Sequence, residues 1–258
     1  MSENFDFIFN EMISAASVTD AAIQVLSGYA SRDRQETHCK SLIRQNNLRI
    51  CKYLNDLKDA RSLTFDKDPP PNYILCDLVR LLRVFCEKAE EYASPVLYSV
   101  RLICGYDSLY VPVDTWYMER IIFHIIAFIA ENMEPEKKNK ISVALDGENE
   151  KIRIVFRAKN VKFPSGVHLE TRLSRTRDNW PPSDLRIDAA DGLGLWLAQR
   201  YTALLGGSLK IKNTAKDGFE LSVETPNPPE TYVAKLRESD DGIYEIPPRT
   251  VRYFYGLA

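Results

Sequence analysis

The sequence predicts an α+β protein in which an N-terminal helical hairpin precedes a sandwich of helices and strands. Three observations predict this. Apolar residues recur at steps of four and three through the first 63 residues, which is the seam of long packed helices. The proline run Pro69–Pro71 then excludes helix. Beyond it, alternating apolar and polar runs are separated by amphipathic stretches, which favours helices gathered on one face of a mostly antiparallel mixed sheet.

Residues 1–65 are predicted to form the hairpin. The seam of its first helix is Phe5, Phe9, Met12, Ala16, Thr19, Ile23 and Leu26. The second helix carries Ile43, Ile50 and Leu57, which are seven residues apart, and Gly28 begins the turn between the helices. Because a lone hairpin cannot bury a seam on each helix, we expect two copies to form a dimeric four-helix bundle. The alternative is that the hairpin packs against the rest of its own chain.

Residues 72–226 are predicted to form the sandwich, after a stiff proline linker. The predicted strands are 73–76, 96–103, 109–111, 141–145, 152–156, 208–212 and 219–224, and the predicted helices are 77–93, 115–132 and 192–205. Turns are expected at Asp146-Gly147 and at Asp217-Gly218, because such pairs favour tight hairpins. A long polar loop is expected over 159–191.

Residues 227–258 are predicted to be a C-terminal extension. It contains prolines at 228, 229, 247 and 248, and its aromatic end, 251–255, is expected to dock on another surface.

The composition excludes several classes of function. Lysine and arginine number 34 and aspartate and glutamate 36, so a net charge of −2 gives no footprint for nucleic-acid binding. The longest apolar stretch, 121–130, is interrupted by His124 and is too short for a membrane span. No signal peptide is visible, and the five cysteines are scattered, so we expect a reduced, cytoplasmic protein with its thiols in the core.

Glycines mark both ends of the last predicted helix. Gly192 and Gly194 allow a tight turn and expose backbone N–H groups at a helix N-terminus, which favours an anion. Gly206-Gly207 ends the helix. With the closing hairpin, the stretch 191–226 resembles the last glycine box of the histidine-kinase ATPase domain, the Bergerat-type fold shared with gyrase-like ATPases. The resemblance covers residues 5–226, and 34–61 is similar to the second helix of the kinase dimerisation and phosphotransfer hairpin.

The sequence departs from this family at the residues that carry its chemistry. The resemblance implies a phosphoaccepting His on the first helix, but Met12 or Ile13 stands there, and no histidine precedes His38. It implies two magnesium-binding Asn residues, but His124 and Phe128 occupy their positions. Magnesium requires oxygen ligands, and the Phe side chain has none.

The box that binds adenine in the family departs in the same way. Ala158 stands at the position of the adenine-binding Asp, and Asn160 and Lys162 replace its two glycines. Of the histidines, His38 is expected to be a solvated surface residue and His124 a hydrogen-bonded core residue.

The resemblance and these departures together predict a pseudokinase, that is, a dimeric histidine-kinase-like signalling protein without autophosphorylation. We expect no catalytic residues, no bound metal and no ATP, with Gly192 and Gly194 as vestigial phosphate-loop glycines. The resemblance implies a response-regulator receiver domain as a possible partner. Its predicted binding face is Phe9, Ile13, Ser14, Ser17 and Val18. A histidine phosphotransferase with a decayed ATPase domain, a structural adaptor using 244–258, and a divergent active kinase remain alternatives.

Overall fold

The structure is a computed structural model, and it describes residues 12, 16–19, 21, 23, 34–65, 70–92, 98–134, 137–148, 151–161, 190–214 and 218–226. The predicted polar loop, apart from its two ends, and the predicted C-terminal extension lie outside the described residues. The described residues 12, 16–19, 21 and 23 are helical, in agreement with a first helix in the hairpin.

Four helices and seven strands have defined bounds in the described residues. The helices are α1 (Arg34–Phe65), α2 (Leu78–Tyr92), α3 (Thr115–Glu131) and α4 (Ala190–Leu204). The strands are β1 (Ile74–Asp77), β2 (Tyr98–Cys104), β3 (Tyr110–Val113), β4 (Asn139–Glu148), β5 (Lys151–Lys159), β6 (Ser208–Thr214) and β7 (Gly218–Pro226). Every predicted element of the sandwich is present.

Five strands form one mixed sheet in the order β2-β4-β5-β7-β6. Strands β2 and β4 are parallel, and the other neighbours are antiparallel. Strands β1 and β3 form a separate antiparallel pair. This arrangement confirms the prediction of a mostly antiparallel mixed sheet.

The hairpin turn predicted at Asp146-Gly147 is wrong. Asp146 is paired with Arg153 and Gly147 with Ile152, so β4 continues to Glu148. Gly147 serves a packing role instead, because a Cβ at this position would lie 3.1 Å from a methyl carbon of Leu109. Gly218, predicted to lie in the last turn, is likewise paired within β7.

Helix α3 is the central helix of the sandwich, with 13 of its 17 residues buried. It begins at Asp114, whose carboxylate accepts hydrogen bonds from the backbone N–H groups of Tyr117 at 3.0 Å and Asn72 at 2.7 Å. This N-cap fixes the start of α3 and holds the end of the proline linker beside it. Cys76 and Cys86 are buried, as expected of core thiols, whereas Cys104 is only partly buried.

Helix α4 ends at the glycine pair, as predicted. The N–H of Gly207 donates to the carbonyl of Thr202 and the N–H of Gly206 to that of Ala203, each at 2.9 Å. Gly206 has a φ of +71°. These two bonds and the left-handed residue form a Schellman motif, a helix end that glycine stabilises.

Helix α1 packs against the sandwich through its C-terminal part. Ala60 and Leu63 belong to the hydrophobic core, and Arg200 of α4 donates a hydrogen bond of 3.3 Å to the carbonyl oxygen of Leu63. By contrast, Ile43, Ile50 and Leu57 are 51%, 49% and 42% exposed. One face of α1 therefore binds the sandwich, and an apolar stripe on another remains uncovered. No described helix is long and apolar enough to cross a membrane.

Candidate functional site

The residues that the resemblance assigns to the family's metal and adenine positions lie on α3 and at the end of β5. His124, Phe128 and Ala158 are 0%, 3% and 4% exposed. The Phe128 ring centroid lies 6.2 Å from that of Phe219 on β7, so Phe128 is part of the packed interior. Asn160 follows β5 with a φ of +59°. Lys162 lies outside the described residues.

The two glycines predicted to form a phosphate turn lie inside α4. Because α4 begins at Ala190, Gly194 is its fifth residue, beyond the first-turn N–H groups that a helix leaves free. Gly194 passes close to α3 instead, since a Cβ there would lie 3.4 Å from Nδ1 of His124. The geometry gives Gly194 a packing role, and Gly192 is helical as well.

Helix α1 lies against this same region of α3 through three pairs of polar side chains. Lys52 Nζ is 3.5 Å from Glu131 Oε1, Asp56 Oδ1 is 4.0 Å from His124 Nδ1, and Asp59 Oδ2 is 3.3 Å from Arg120 Nη1. The numbering rises along α1 and falls along α3, so the two helices run antiparallel at this contact. We call these six residues the α1–α3 charge ladder.

The first two pairs are joined by Lys52 and Asp56, whose side chains are 3% and 1% exposed. Lys52 Nζ donates a hydrogen bond of 3.3 Å to Asp56 Oδ2. Burial opposes the charge of Lys52, but Asp56 and Glu131 outweigh burial and keep the pKa of Lys52 above its ordinary value. Lys52 is therefore a buried ammonium shared between two carboxylates.

The central pair, Asp56 and His124, has altered acid–base properties. Burial raises the pKa of Asp56 to about 6, although Lys52 lowers it. Burial lowers the pKa of His124 well below its ordinary value, and the positive charges of Lys52 and Arg120 lower it further. His124 is a core residue, as predicted, but neither of its ring nitrogens has a hydrogen-bond partner in the part of the chain that is described.

Aromatic side chains pack against the third pair of the ladder, Asp59 and Arg120. The Arg120 guanidinium carbon lies 4.9 Å from the Trp116 ring centroid, and the Trp116 and Tyr201 rings meet edge to face at 5.4 Å. Burial raises the pKa of Asp59, while Arg120 and a hydrogen bond with Tyr201 lower it. Burial also raises the pKa of Tyr201 above its ordinary value, and Asp59 adds to this.

The sequence prediction missed most of this ladder. Lys52, Asp56 and Asp59 are three charged residues at helical spacing, a pattern typical of a solvated face. The one available signal was that all three lie on the same face of α1, which matches a polar contact with another helix.

The predicted partner-binding face is described only in part. Phe9, Ile13 and Ser14 lie outside the described residues. Ser17 and Val18 are helical and exposed, Val18 by 66%, so both are available at the surface. The buried Ala16 lies beside them, and its carbonyl accepts a hydrogen bond from the Asn47 side chain of α1. This contact joins the first predicted helix to α1.

Comparison with solved structures identifies the fold. Full-length ShkA in complex with AMPPNP superposes with a TM-score of 0.61 at 14% identity, over 87% of this chain and 46% of ShkA. The Acinetobacter baumannii histidine kinase AdeS gives 0.55 at 12% identity, over 83% and 95% of the two chains. Histidine kinase ThkA in complex with the response regulator TrrA gives 0.54 at 14% identity, over 88% and 62%.

The chain has the fold of a histidine-kinase core. These neighbours confirm the resemblance that the sequence motifs suggested, and they confirm the α+β sandwich of the kinase ATPase type. The chain spans less than half of the ShkA chain and 62% of the ThkA chain. No protein-family model and no curated protein sequence matches it.

Proposed function

We propose that this protein is a pseudokinase, a histidine-kinase-like dimer that binds signalling partners and transfers no phosphoryl group. The observation that carries the proposal is the position of the α1–α3 charge ladder. Its central His124 stands where the family has a magnesium-binding Asn, and it is buried between Gly194 of α4 and Asp56 of α1. Side chains of this chain therefore pack where the resemblance implies metal and phosphates.

The donor chemistry of the region supports loss of magnesium binding. Magnesium requires oxygen ligands in near-octahedral geometry. Phe128 offers hydrocarbon only, and its ring packs against Phe219. An amide at this position would have to replace that aromatic contact in the interior.

The charges support loss of nucleotide binding. Asp56, Asp59 and Glu131 place three acidic groups along the ladder, against the cations Lys52 and Arg120. A triphosphate beside His124 would add negative charge to a region that already has an excess carboxylate, in a low dielectric where such repulsion is strong. Ala158 also removes the carboxylate that reads adenine in the family.

The exposed stripe on α1 supports the dimer. Ile43, Ile50 and Leu57 are about half exposed and repeat every seven residues, which is the pattern of a helix that packs along a second helix. A second copy would supply such a helix and bury the stripe.

We place the partner site on the adjacent first helix, where Ser17 and Val18 are exposed. A receiver domain is the partner that the ThkA–TrrA complex suggests by analogy.

Incubation with labelled ATP and Mg²⁺ tests the absence of phosphoryl transfer. We expect no acid-labile phosphate on the chain. Labelling that is abolished by His38→Ala and retained in His168→Ala would contradict the proposal and support phosphotransfer through His38.

Thermal denaturation with and without Mg·ATP tests nucleotide binding, because a ligand that binds only the native state raises the midpoint. A shift of several degrees at millimolar nucleotide would contradict the loss of the nucleotide site.

A further inference from the structure

The outer face of the five-stranded sheet is markedly basic. Inward positions such as Ile154 and Leu221 belong to the core, so the alternate positions face outward. These outward positions hold eight basic and four acidic residues, a net charge of +4, whereas the whole chain has a net charge of −2. The basic excess is therefore a property of this one surface.

One end of the outer face is internally neutralised. Arg153 of β5 lies 3.6 Å from Glu220 and 3.7 Å from Glu224, on either side of Ser222 of β7. Arg157 also contacts Glu220, at 2.8 Å. Both glutamates of β7 are thus engaged, and Ser222, although it faces outward, is only 2% exposed beneath these pairs.

The other end has basic residues without such pairing. Arg101, Lys140 and Lys159 lie at one corner of the face, on β2, β4 and β5, and all three are exposed. Among the described residues none of them has an ion-pair partner. We call these three residues the basic corner.

The register places two of these lysines against each other. Ile141 is paired with Ala158, so Lys140 stands directly opposite Lys159 on the neighbouring strand. Like charges directly opposite on an antiparallel pair are destabilising. An anionic group bound between them would remove this cost.

We propose that the acidic stretch 238–245 of this chain's own C-terminal extension docks on the basic corner. The stretch contains Glu238, Asp240, Asp241 and Glu245 and no basic residue. Its four negative charges equal the net charge of +4 of the outer face in magnitude and are opposite in sign. Docking there also assigns a role to a segment that the kinase-like fold does not require.

The connection is long enough. Strand β7 ends at Pro226, and the basic corner lies beside its other end at Gly218, about 27 Å away at 3.4 Å per residue. The 11 intervening residues 227–237 span up to about 36 Å when extended. Prolines at 228 and 229 favour such an extended course.

Carbodiimide coupling of the full chain tests the contact directly, because it joins amines to carboxylates that are already paired. We expect products of monomer mass that link Lys140 or Lys159 to the stretch 238–245 and that disappear at high salt. If Lys58 or Lys88 on the helical side coupled to the stretch 238–245 as strongly as Lys140 and Lys159 do, the proposal would be overturned. In a mixture of isotope-labelled and unlabelled chains, links between the two forms would assign the corner to a second copy and also overturn it.

Thermal unfolding of charge variants provides a second test. Lys140→Gln with Lys159→Gln should lower the midpoint in the full chain, because the docked carboxylates lose their partners. In a chain whose residues Glu238, Asp240, Asp241 and Glu245 are replaced by the corresponding Gln or Asn, the same two lysine substitutions should raise the midpoint. In that background they remove only the repulsion between the two lysines. A rise in both backgrounds would show that the extension does not neutralise the corner.

The matched control removes the same charge from the helical side. Arg80→Gln with Arg83→Gln changes two exposed residues of α2. Its effect should be the same in both backgrounds. Binding of an added acidic peptide at the corner of the full chain, with no competition from residues 238–245, would assign the surface to an external partner and overturn the proposal.

Discussion

The Asp56 carboxylate lies 4.0 Å from Nδ1 of His124, and both side chains are closed off from solvent. The two groups respond to burial in opposite directions, since burial raises the pKa of the acid and lowers that of the base. Burial therefore shifts each group toward its neutral form relative to the unfolded chain. Their titrations should affect stability with opposite signs.

Replacing His124 by Gln should remove a loss of stability at low pH. The folded pKa of His124 is below the ordinary value of 6.5, so below pH 6.5 the unfolded state binds the proton and the folded state resists it. The wild type should lose up to about 1.4 kcal/mol per pH unit, relative to the variant, as the pH falls below about 6.5. Urea unfolding across this range measures the difference. A His124→Gln profile that runs parallel to that of the wild type would refute the neutral, buried imidazole.

Replacing Asp56 by Asn should change the profile in the opposite direction. The folded pKa of Asp56 is raised from 3.8 to about 6, so its stabilising contribution is present below pH 3.8 and is lost as the pH rises to about 6. The free energy of unfolding of the wild type should therefore fall relative to that of Asp56→Asn between these two pH values and stay level above them. The same urea series measures it. A wild type that gains stability relative to the variant in this interval would show that Lys52 outweighs burial.

Truncating Arg120 should destabilise the fold by about 3 kcal/mol, because it leaves the largely buried Asp59 carboxylate without its ion-pair partner. Arg120→Ala and Asp59→Leu with Arg120→Met can be compared by chemical denaturation. The double variant should recover most of the loss, since it removes both charges and keeps the volume. Full recovery in Arg120→Met alone, which keeps the volume but leaves the carboxylate unpaired, would mean that lost packing against Trp116 accounts for the effect.

Placing a charge in the exposed α1 stripe should separate the proposed dimer. Ile50→Lys with Leu57→Lys puts two ammonium groups where the second copy would pack, and light scattering should then report the monomer mass. Ile103→Lys is the matched control, because Ile103 is 57% exposed on the outer face of the sheet, away from α1. A wild type of monomer mass would end the four-helix-bundle argument.

Adding one methyl group at Gly207 should destabilise the sandwich by about 2 kcal/mol, because a Cβ there would clash with the backbone oxygen of Glu224. Backbone atoms cannot swing away as a flexible side chain can. Gly105→Ala is the control, since nothing lies within 4 Å of its Cβ position. The two thermal midpoints should differ by several degrees, and equal midpoints would contradict the close approach of α4 and β7.

The sequence predicted the sandwich well because its signals are local. Alternation along β5 and β7 and the Gly206-Gly207 stop each depend on residues next to one another in the chain. Element ends were less well predicted where a glycine had two possible roles. Gly147 resembles a turn residue in the sequence alone, and only the position of Leu109, 38 residues earlier, shows the close packing that favours a glycine within this strand.

The charge ladder could not be predicted because its signals are not local. Asp56 and His124 are separated by 68 residues, and nothing near either one indicates the other. A charged residue on a helix is normally solvated, so a buried Lys52 contradicts the usual pattern. The sequence predicts that His124 and Phe128 replace two family amides on α3, but it does not predict which side chains pack beside His124.

Helix α1 has 32 residues, so it is a rod about 48 Å long whose C-terminal part, from Lys52 onward, is fastened to the sandwich. Arg200 holds its last turns, and the ladder holds the turns before them. The helix is continuous from Arg34 to Phe65, so it contains no hinge between its N-terminal end and the part that contacts the sandwich. A rotation imposed at the Arg34 end should therefore reach the sandwich as a change in its orientation.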